Sequence, residues 1–265
     1  MVLSRLRADL IAEQEALDDL VATLGPADWS RSTPSEPWTV ADQISHLAYF
    51  DRTAAMAITD PEAFASHAAE LWETVTSGRS SFDDATLASS RGSSGPDLLA
   101  GWRRARRDLA EAASRLAEGD RIPWYGPSMG ARSFLTARLM ETWAHGQDVV
   151  DALGVTREAT DRLVHIAHLG VITRSWSSTN RGLPAPGSPV RVELAAPSGA
   201  TWVFGDPAAS ESIVGPAEDF CLVVTQRRHV DDTGLVTTPA GREWMLVAQA
   251  FAGPPTSGPE PGTRP

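Results

Sequence analysis

Apolar residues recur at helical spacing through most of the first 180 residues, a repeat that a strand cannot place on one face. From Leu3 to Leu24 the positions Leu3, Leu6, Leu10, Ile11, Leu17, Leu20, Val21 and Leu24 form one stripe, and Gly25-Pro26 ends it. Thr39 is placed to N-cap a second helix, VADQISHLAYFDRTAAMAI, to about Ile58. A third, from Pro61 to Val75, has proline at its first position. Thr76 to Ser94 reads as a surface loop with room for one helical turn. Pro96-Asp97 then opens the amphipathic LLAGWRRARRDLAEAASRLAE, whose arginines take the solvated face. Ser133 is the expected cap of FLTARLMETWAHGQDVVDAL, which Gly154 ends, and a further helix is expected from about Glu158 to Ser177. Four or more such helices are the material of a bundle.

The composition changes at RGLPAPGSP, the expected linker. Beyond it VRVELAAPSGATWVFG reads as a β-hairpin around Pro-Ser-Gly. Helices are expected from about Ala217 to Gln226 and from about Gly241 to Phe251, and the tail GPPTSGPEPGTRP is expected to be disordered. The expected domains are therefore a helix bundle over 1–180, a linker over 181–189, a small α+β domain over 190–252 and a tail over 253–265. The fold class is mainly α, a four-helix bundle followed by a small α+β domain.

Charge and composition exclude several function classes. The 23 basic and 34 acidic residues give a net charge of -11, which opposes nucleic-acid binding. Every basic residue is Arg, so no lysine Schiff base or P-loop lysine is available. Cys221 stands alone, so neither an internal disulfide nor a Cys-x-x-Cys site can form. The N-terminal stretch lacks the apolar core of a signal peptide, and no run approaches the ~18 apolar residues of a membrane span. The expected setting is the cytoplasm, with a small-molecule substrate, no membrane partner and the oligomeric state open.

Among the histidines one pairing carries chemistry. Glu141 and His145 lie four residues apart on a predicted helix, so both project from one face, together with the apolar Phe134, Val149 and Ala152. An inward carboxylate needs a partner. His46, on the second helix beside Leu47 and Phe50, is also aimed inward. Two bundle helices that direct ligands inward can assemble a His-Glu-His set with an open coordination position. The same residues also fit a plain helical ion pair beside a core histidine. Asp148, three residues after His145, can orient a ligand from behind or serve as a helix-surface acid. Asp51 is turned away from His46 on an ideal helix. His165 and His168 read as packing or surface residues, and Cys221 as a buried small hydrophobe. Trp38, Trp124, Tyr125 and Trp143 are candidate walls of a cleft.

The segments PWTVADQISHLAYFD, ETWAHGQDVVDALG and, more weakly, GPAEDFCLVVTQRRHVDD resemble the DinB-like metal-binding bundles, within them the mycothiol-dependent maleylpyruvate isomerase family. The resemblance implies a DinB-like bundle in which His46, Glu141 and His145 are the metal ligands, with Zn the first expectation. It also implies an arginine from the C-terminal domain that reaches the metal cleft and binds a carboxylated substrate. Arg227 is the matching residue and Arg228 its neighbour, either of which suits a carboxylate through its planar guanidinium.

The implied function is a metal-dependent isomerase or thiol transferase using a mycothiol-like thiol as metal-bound thiolate. That nucleophile would add to a small electrophilic, carboxylated substrate and leave after bond rotation, or stay attached. Two alternatives remain open. One is a metal-dependent hydrolase or cyclase that uses water or Lewis acidity without thiol. The other is a non-catalytic metalloprotein that holds a small molecule.

Overall fold

A computed structural model describes residues 2–264, which form two compact units divided between Gly154 and Val155. The first contains α1 (Leu3–Val21), α2 (Val40–Thr59), α3 (Pro61–Thr76), α4 (Phe82–Leu87), α5 (Gly95–Ser114), the short strands β1 (Arg121–Ile122) and β2 (Met129–Gly130), and α6 (Ala131–Leu153). Helices α1, α2, α5 and α6 make the bundle, with α2 packed chiefly on α5 and α1 on α6. The mainly α class and the DinB-like bundle are as the sequence leads one to expect.

Local chemistry starts and stops these helices. Thr39 and Asp42 form a reciprocal capping box: the Asp42 amide donates to Thr39 Oγ1 at 3.3 Å and the Thr39 amide to Asp42 Oδ2 at 2.8 Å. Ser94 caps α5 through its Oγ, which accepts from the Asp97 amide at 3.3 Å, and Gly154 ends α6 in the left-handed conformation at φ 66°. Ser133 is not a cap. The β1–β2 pair delivers the chain directly into α6 at Ala131, whose amide donates to Asp120 O at 2.9 Å, and Ser133 lies inside the first turn.

Val40, Ile44 and Leu47 present one fully buried stripe of α2 to Leu98, Leu99 and Trp102 of α5, Leu17 and Val21 of α1 and Val149 of α6. Each such aliphatic side chain contributes about 1.5–3 kcal/mol. A polar hub crosses this core. Asp51 of α2 accepts from Gln14 of α1 (3.0 Å), Trp102 of α5 (3.0 Å) and Arg138 of α6 (3.3 Å), so one carboxylate ties all four helices. Burial pushes Asp51 above the usual carboxylate range, against the pull of Arg138 and its other donors.

Nearer the surface, Arg103 hydrogen-bonds Asp18 at 2.8 Å and, with Arg106 and against a smaller desolvation effect, holds its carboxyl below the ordinary 3.8. A carboxyl lowered on folding stabilises the protein above its unfolded pKa and loses that contribution as the pH falls through the folded value. Asp18→Asn is therefore expected to lower stability at neutral pH and to flatten the acid limb of the stability curve below about pH 4, read by denaturant titrations across pH. An unchanged acid limb would remove Asp18 from that account.

The second unit contains α7 (Leu163–Ile172), α8 (Arg174–Thr179), β3 (Val190–Ala195), β4 (Thr201–Phe204), β5 (Glu211–Pro216), α9 (Ala217–Val224), β6 (Val236–Thr237) and α10 (Pro239–Met245). The expected hairpin is the antiparallel β3–β4 pair, and β3 also pairs in parallel with β5, giving the order β4-β3-β5-β6. Several boundaries differ from the sequence expectation. The compact division falls at Gly154/Val155, not in the 181–189 segment, because α7 packs on α9 and against β4. The helix expected from Glu158 to Ser177 begins only at Leu163 and breaks at Thr173, whose hydroxyl donates to the carbonyls of Leu169 and Gly170. The last helix ends at Met245 instead of near Phe251. The tail has no regular element, but Gln226 Nε2 donates to Thr256 O at 2.8 Å and Gly262 N to Asp232.

Candidate metal centre

Helix α6 is unusual in having no exposed side chain from Phe134 to Val150. Its polar residues on that stretch therefore lie inside, where each needs a partner. His145 is one, and Glu141, a turn earlier, meets it: the contact between His145 Nε2 and Glu141 Oε2 is 3.1 Å. From α2, His46 brings its Nε2 to 3.6 Å from the same oxygen. Ring centroids of the two imidazoles lie 4.3 Å apart. Among the described residues His46, Glu141 and His145 each offer a ligand atom, all within 4.8 Å of one another.

The electrostatics favour cation binding. Burial first, and the adjacent His145 second, hold His46 down to about 3, so its imidazole is neutral with a lone pair to give. Burial alone would raise Glu141, but the histidine nitrogens facing it, His145 at 3.1 Å and His46 at 3.6 Å, outweigh that and keep it well below the usual range. A carboxylate facing two imidazole nitrogens is a donor set suited to a borderline divalent metal. Ligand atoms about 2.0–2.2 Å from a tetrahedral metal stand about 3.3–3.6 Å from one another, and the two contacts of 3.1 and 3.6 Å fall around that edge. The residues present fit such an ion.

Aromatic rings surround the set. Trp38 stacks on His145 at 5.7 Å and 17°, and Phe50 lies 4.5 Å from His46. Trp124 and Tyr125 pack on Phe50, with ring centroids 6.1 and 5.7 Å from it. Trp143 is instead part of the α6 core. A further residue has no counterpart in the sequence reading: Gln43, whose Oε1 is 2.5 Å from His145 Nδ1. It is fully buried one turn before His46 on α2, and only the tertiary fold shows that it meets a residue 102 positions away.

Asp148 is fully buried in α6, and the partner of His145 Nδ1 is Gln43 Oε1. Arg227 and Arg228 lie in the second unit, in the turn that closes α9. Both amides donate to Leu222 O, and Gln226 before them takes the left-handed conformation at φ 60°. Arg227 also donates from Nη1 to Thr225 O at 2.7 Å, and Arg228 to Arg227 O at 2.7 Å. His229 accepts from the Asp231 amide. His165 is buried and His168 exposed on α7. Cys221 is fully buried and its thiol is pushed well up by burial, so it is no ready nucleophile.

Comparison with known proteins follows the same outline. Residues 10–150 match the model of the mycothiol maleylpyruvate isomerase N-terminal domain. Two uncharacterised proteins, from two strains of Mycobacterium tuberculosis, are 47% identical over 254 residues, covering 95% of this chain and 96% of theirs. Crystal structures of the mycothiol-dependent maleylpyruvate isomerase and of its histidine-to-alanine mutant superpose with a TM-score of 0.58. That match covers 91% of this chain and 94% of theirs at 16% identity, a likeness of fold. No helix among the described residues is long and apolar enough to cross a membrane.

Proposed function

We propose, for a chain that belongs to the mycothiol maleylpyruvate isomerase N-terminal domain family, that it is a metal-dependent enzyme using a low-molecular-weight thiol on a small electrophilic, carboxylated substrate. The reaction class is isomerisation or thiol transfer. The observation that carries this reading is the convergence of His46, Glu141 and His145 on one point, with the two imidazole nitrogens 3.6 and 3.1 Å from one carboxylate oxygen. A divalent cation held there, Zn in first place, supplies Lewis acidity that favours the deprotonated, nucleophilic form of a thiol. The family supports a mycothiol-like thiol as that reactant.

The chain's own residues then divide the work. His46, Glu141 and His145 hold the cation, and Trp38 and Phe50 pack aromatic rings against the imidazoles. Asp148, fully buried a turn beyond His145, orients a ligand from behind. Neither Cys221 nor any lysine is placed to serve as a protein nucleophile, which leaves an external thiol or water for that role. Arg227, with Arg228 beside it, binds the substrate carboxylate through a charge-assisted pair of hydrogen bonds.

A charge-assisted hydrogen bond to a carboxylate is worth about 1.5–3 kcal/mol, or about 10–150-fold in binding. Arg227→Ala is accordingly expected to raise KM for a carboxylated electrophile by that factor and to leave the neutral ester within about twofold, in assays with added thiol. Equal effects on acid and ester would take Arg227 out of the site. Turnover in thiol-free buffer would instead favour the hydrolase or cyclase, and ligand retention without product the binding protein.

A further inference from the structure

The two histidines of the centre are not held alike. His46 presents Nε2 to Glu141, and among the described residues its buried Nδ1 has no hydrogen-bond partner. His145 presents Nε2 to the same oxygen and is gripped from behind, its Nδ1 2.5 Å from Gln43 Oε1. Which atom donates in that grip follows from the next two bonds. Thr33 Oγ1 stands 2.8 Å from the Trp38 carbonyl, and its one proton belongs on that contact, because oxygen lone pairs would otherwise face each other. Thr33 therefore accepts from the Gln43 amide nitrogen at 2.9 Å, which turns the amide oxygen toward His145. An amide oxygen only accepts, so Nδ1 of His145 carries a proton, and with a cation seated between Nε2 and Glu141 it is Nε2 that is left to give a lone pair. Gln43 is fully buried and Thr33 3% exposed, so water does not compete for these bonds. Trp38, whose carbonyl ends the relay, also lays its indole along the same imidazole.

We propose that Gln43 is a positioning residue that commits His145 to donation through Nε2, and that Thr33 sets the sense of the Gln43 amide. The inference rests on the reading of His46, Glu141 and His145 as metal ligands. Loss of an outer partner of a ligating imidazole costs about 10–100-fold in metal affinity, and the loss is chemical, not a matter of volume.

The test is zinc affinity, by chelator competition, for the full-length wild type, Gln43→Met and Gln43→Glu, with cobalt(II) absorption recorded beside it. Gln43→Met keeps length but no acceptor and is expected to bind zinc about 10–100-fold more weakly, with an altered cobalt spectrum. Gln43→Glu keeps an acceptor and is expected to bind at least as tightly as wild type. Wild-type affinity in Gln43→Met, or equal loss in both variants, would overturn the proposal. Should Gln43→Met not fold, Thr33→Val frees the amide to turn over, and a loss of about tenfold supports the relay while an unchanged affinity overturns it. A wild type that binds no zinc contradicts the metal reading itself. Long-range 15N–1H NMR of the metal-free protein then judges the Gln43 contact separately: a protonated His145 Nδ1 supports it and a bare one overturns it.

Discussion

Asp51→Ala is expected to destabilise the bundle by about 3–5 kcal/mol, because it leaves the guanidinium of Arg138 buried without its counter-ion. At about 2–4 °C per kcal/mol this is a fall of roughly 10 °C in Tm, measured by circular dichroism. The effect belongs to the broken pair and not to the pair's own worth. Burial already lifts Asp51 above its usual range, so the carboxylate is desolvated at a cost that Arg138, Trp102 and Gln14 only partly offset. The double variant Asp51→Leu/Arg138→Met is accordingly expected to recover most of the lost stability. If the double variant were as unstable as the single one, the hub would owe its effect to shape and hydrogen bonding instead of charge.

The second large effect falls on the centre. Glu141→Ala is expected to lower zinc affinity by more than the 10–100-fold that loss of an outer hydrogen-bond partner costs, since Glu141 Oε2 is the oxygen both imidazoles face. Glu141→Asp keeps the charge on a shorter arm and is expected to retain part of that affinity. Chelator competition gives the constants, and far-ultraviolet dichroism shows whether the bundle is intact. Unchanged affinity in Glu141→Ala would reduce the pair to a helical Glu-His contact of a few tenths of a kcal/mol.

What the sequence made legible was local chemistry. The N-cap at Thr39, the proline opening α3, the Pro96-Asp97 start of α5 and the glycine after Leu153 are all encoded within a few residues, and α2, α3, α5 and α6 run close to where those signals place them. The i, i+4 spacing likewise put Glu141 and His145 on one face. Strands β5 and β6 escaped notice, because Glu211–Pro216 sits amid glycine and proline and Val236–Thr237 has only two residues, too short to show alternation. The break at Thr173, where the backbone leaves helical geometry at φ -88° and ψ 4°, leaves no mark in the periodicity.

The illegible part of the site was tertiary. Nothing in DQISH distinguishes Gln43 from any polar residue on a helix; its meaning comes from His145 on α6 and Thr33 in the preceding loop. Asp51 reads correctly as turned away from His46, but its link to α1, α5 and α6 exists only in the packed bundle. In both cases the informative fact is a buried polar group, whose partner must be found somewhere in the fold.

The central claim is that His46, Glu141 and His145 hold a divalent cation to which an external thiol has access. Its most direct test is metal analysis of the purified protein beside a His46→Ala/His145→Ala double variant, followed by titration of the cobalt-substituted wild type with a low-molecular-weight thiol. The account predicts close to one metal per chain in the wild type, its loss in the double variant, and a thiol-dependent charge-transfer band. Metal without that band would contradict the thiol chemistry and leave the water-using enzyme, and absence of metal from both proteins would contradict the centre.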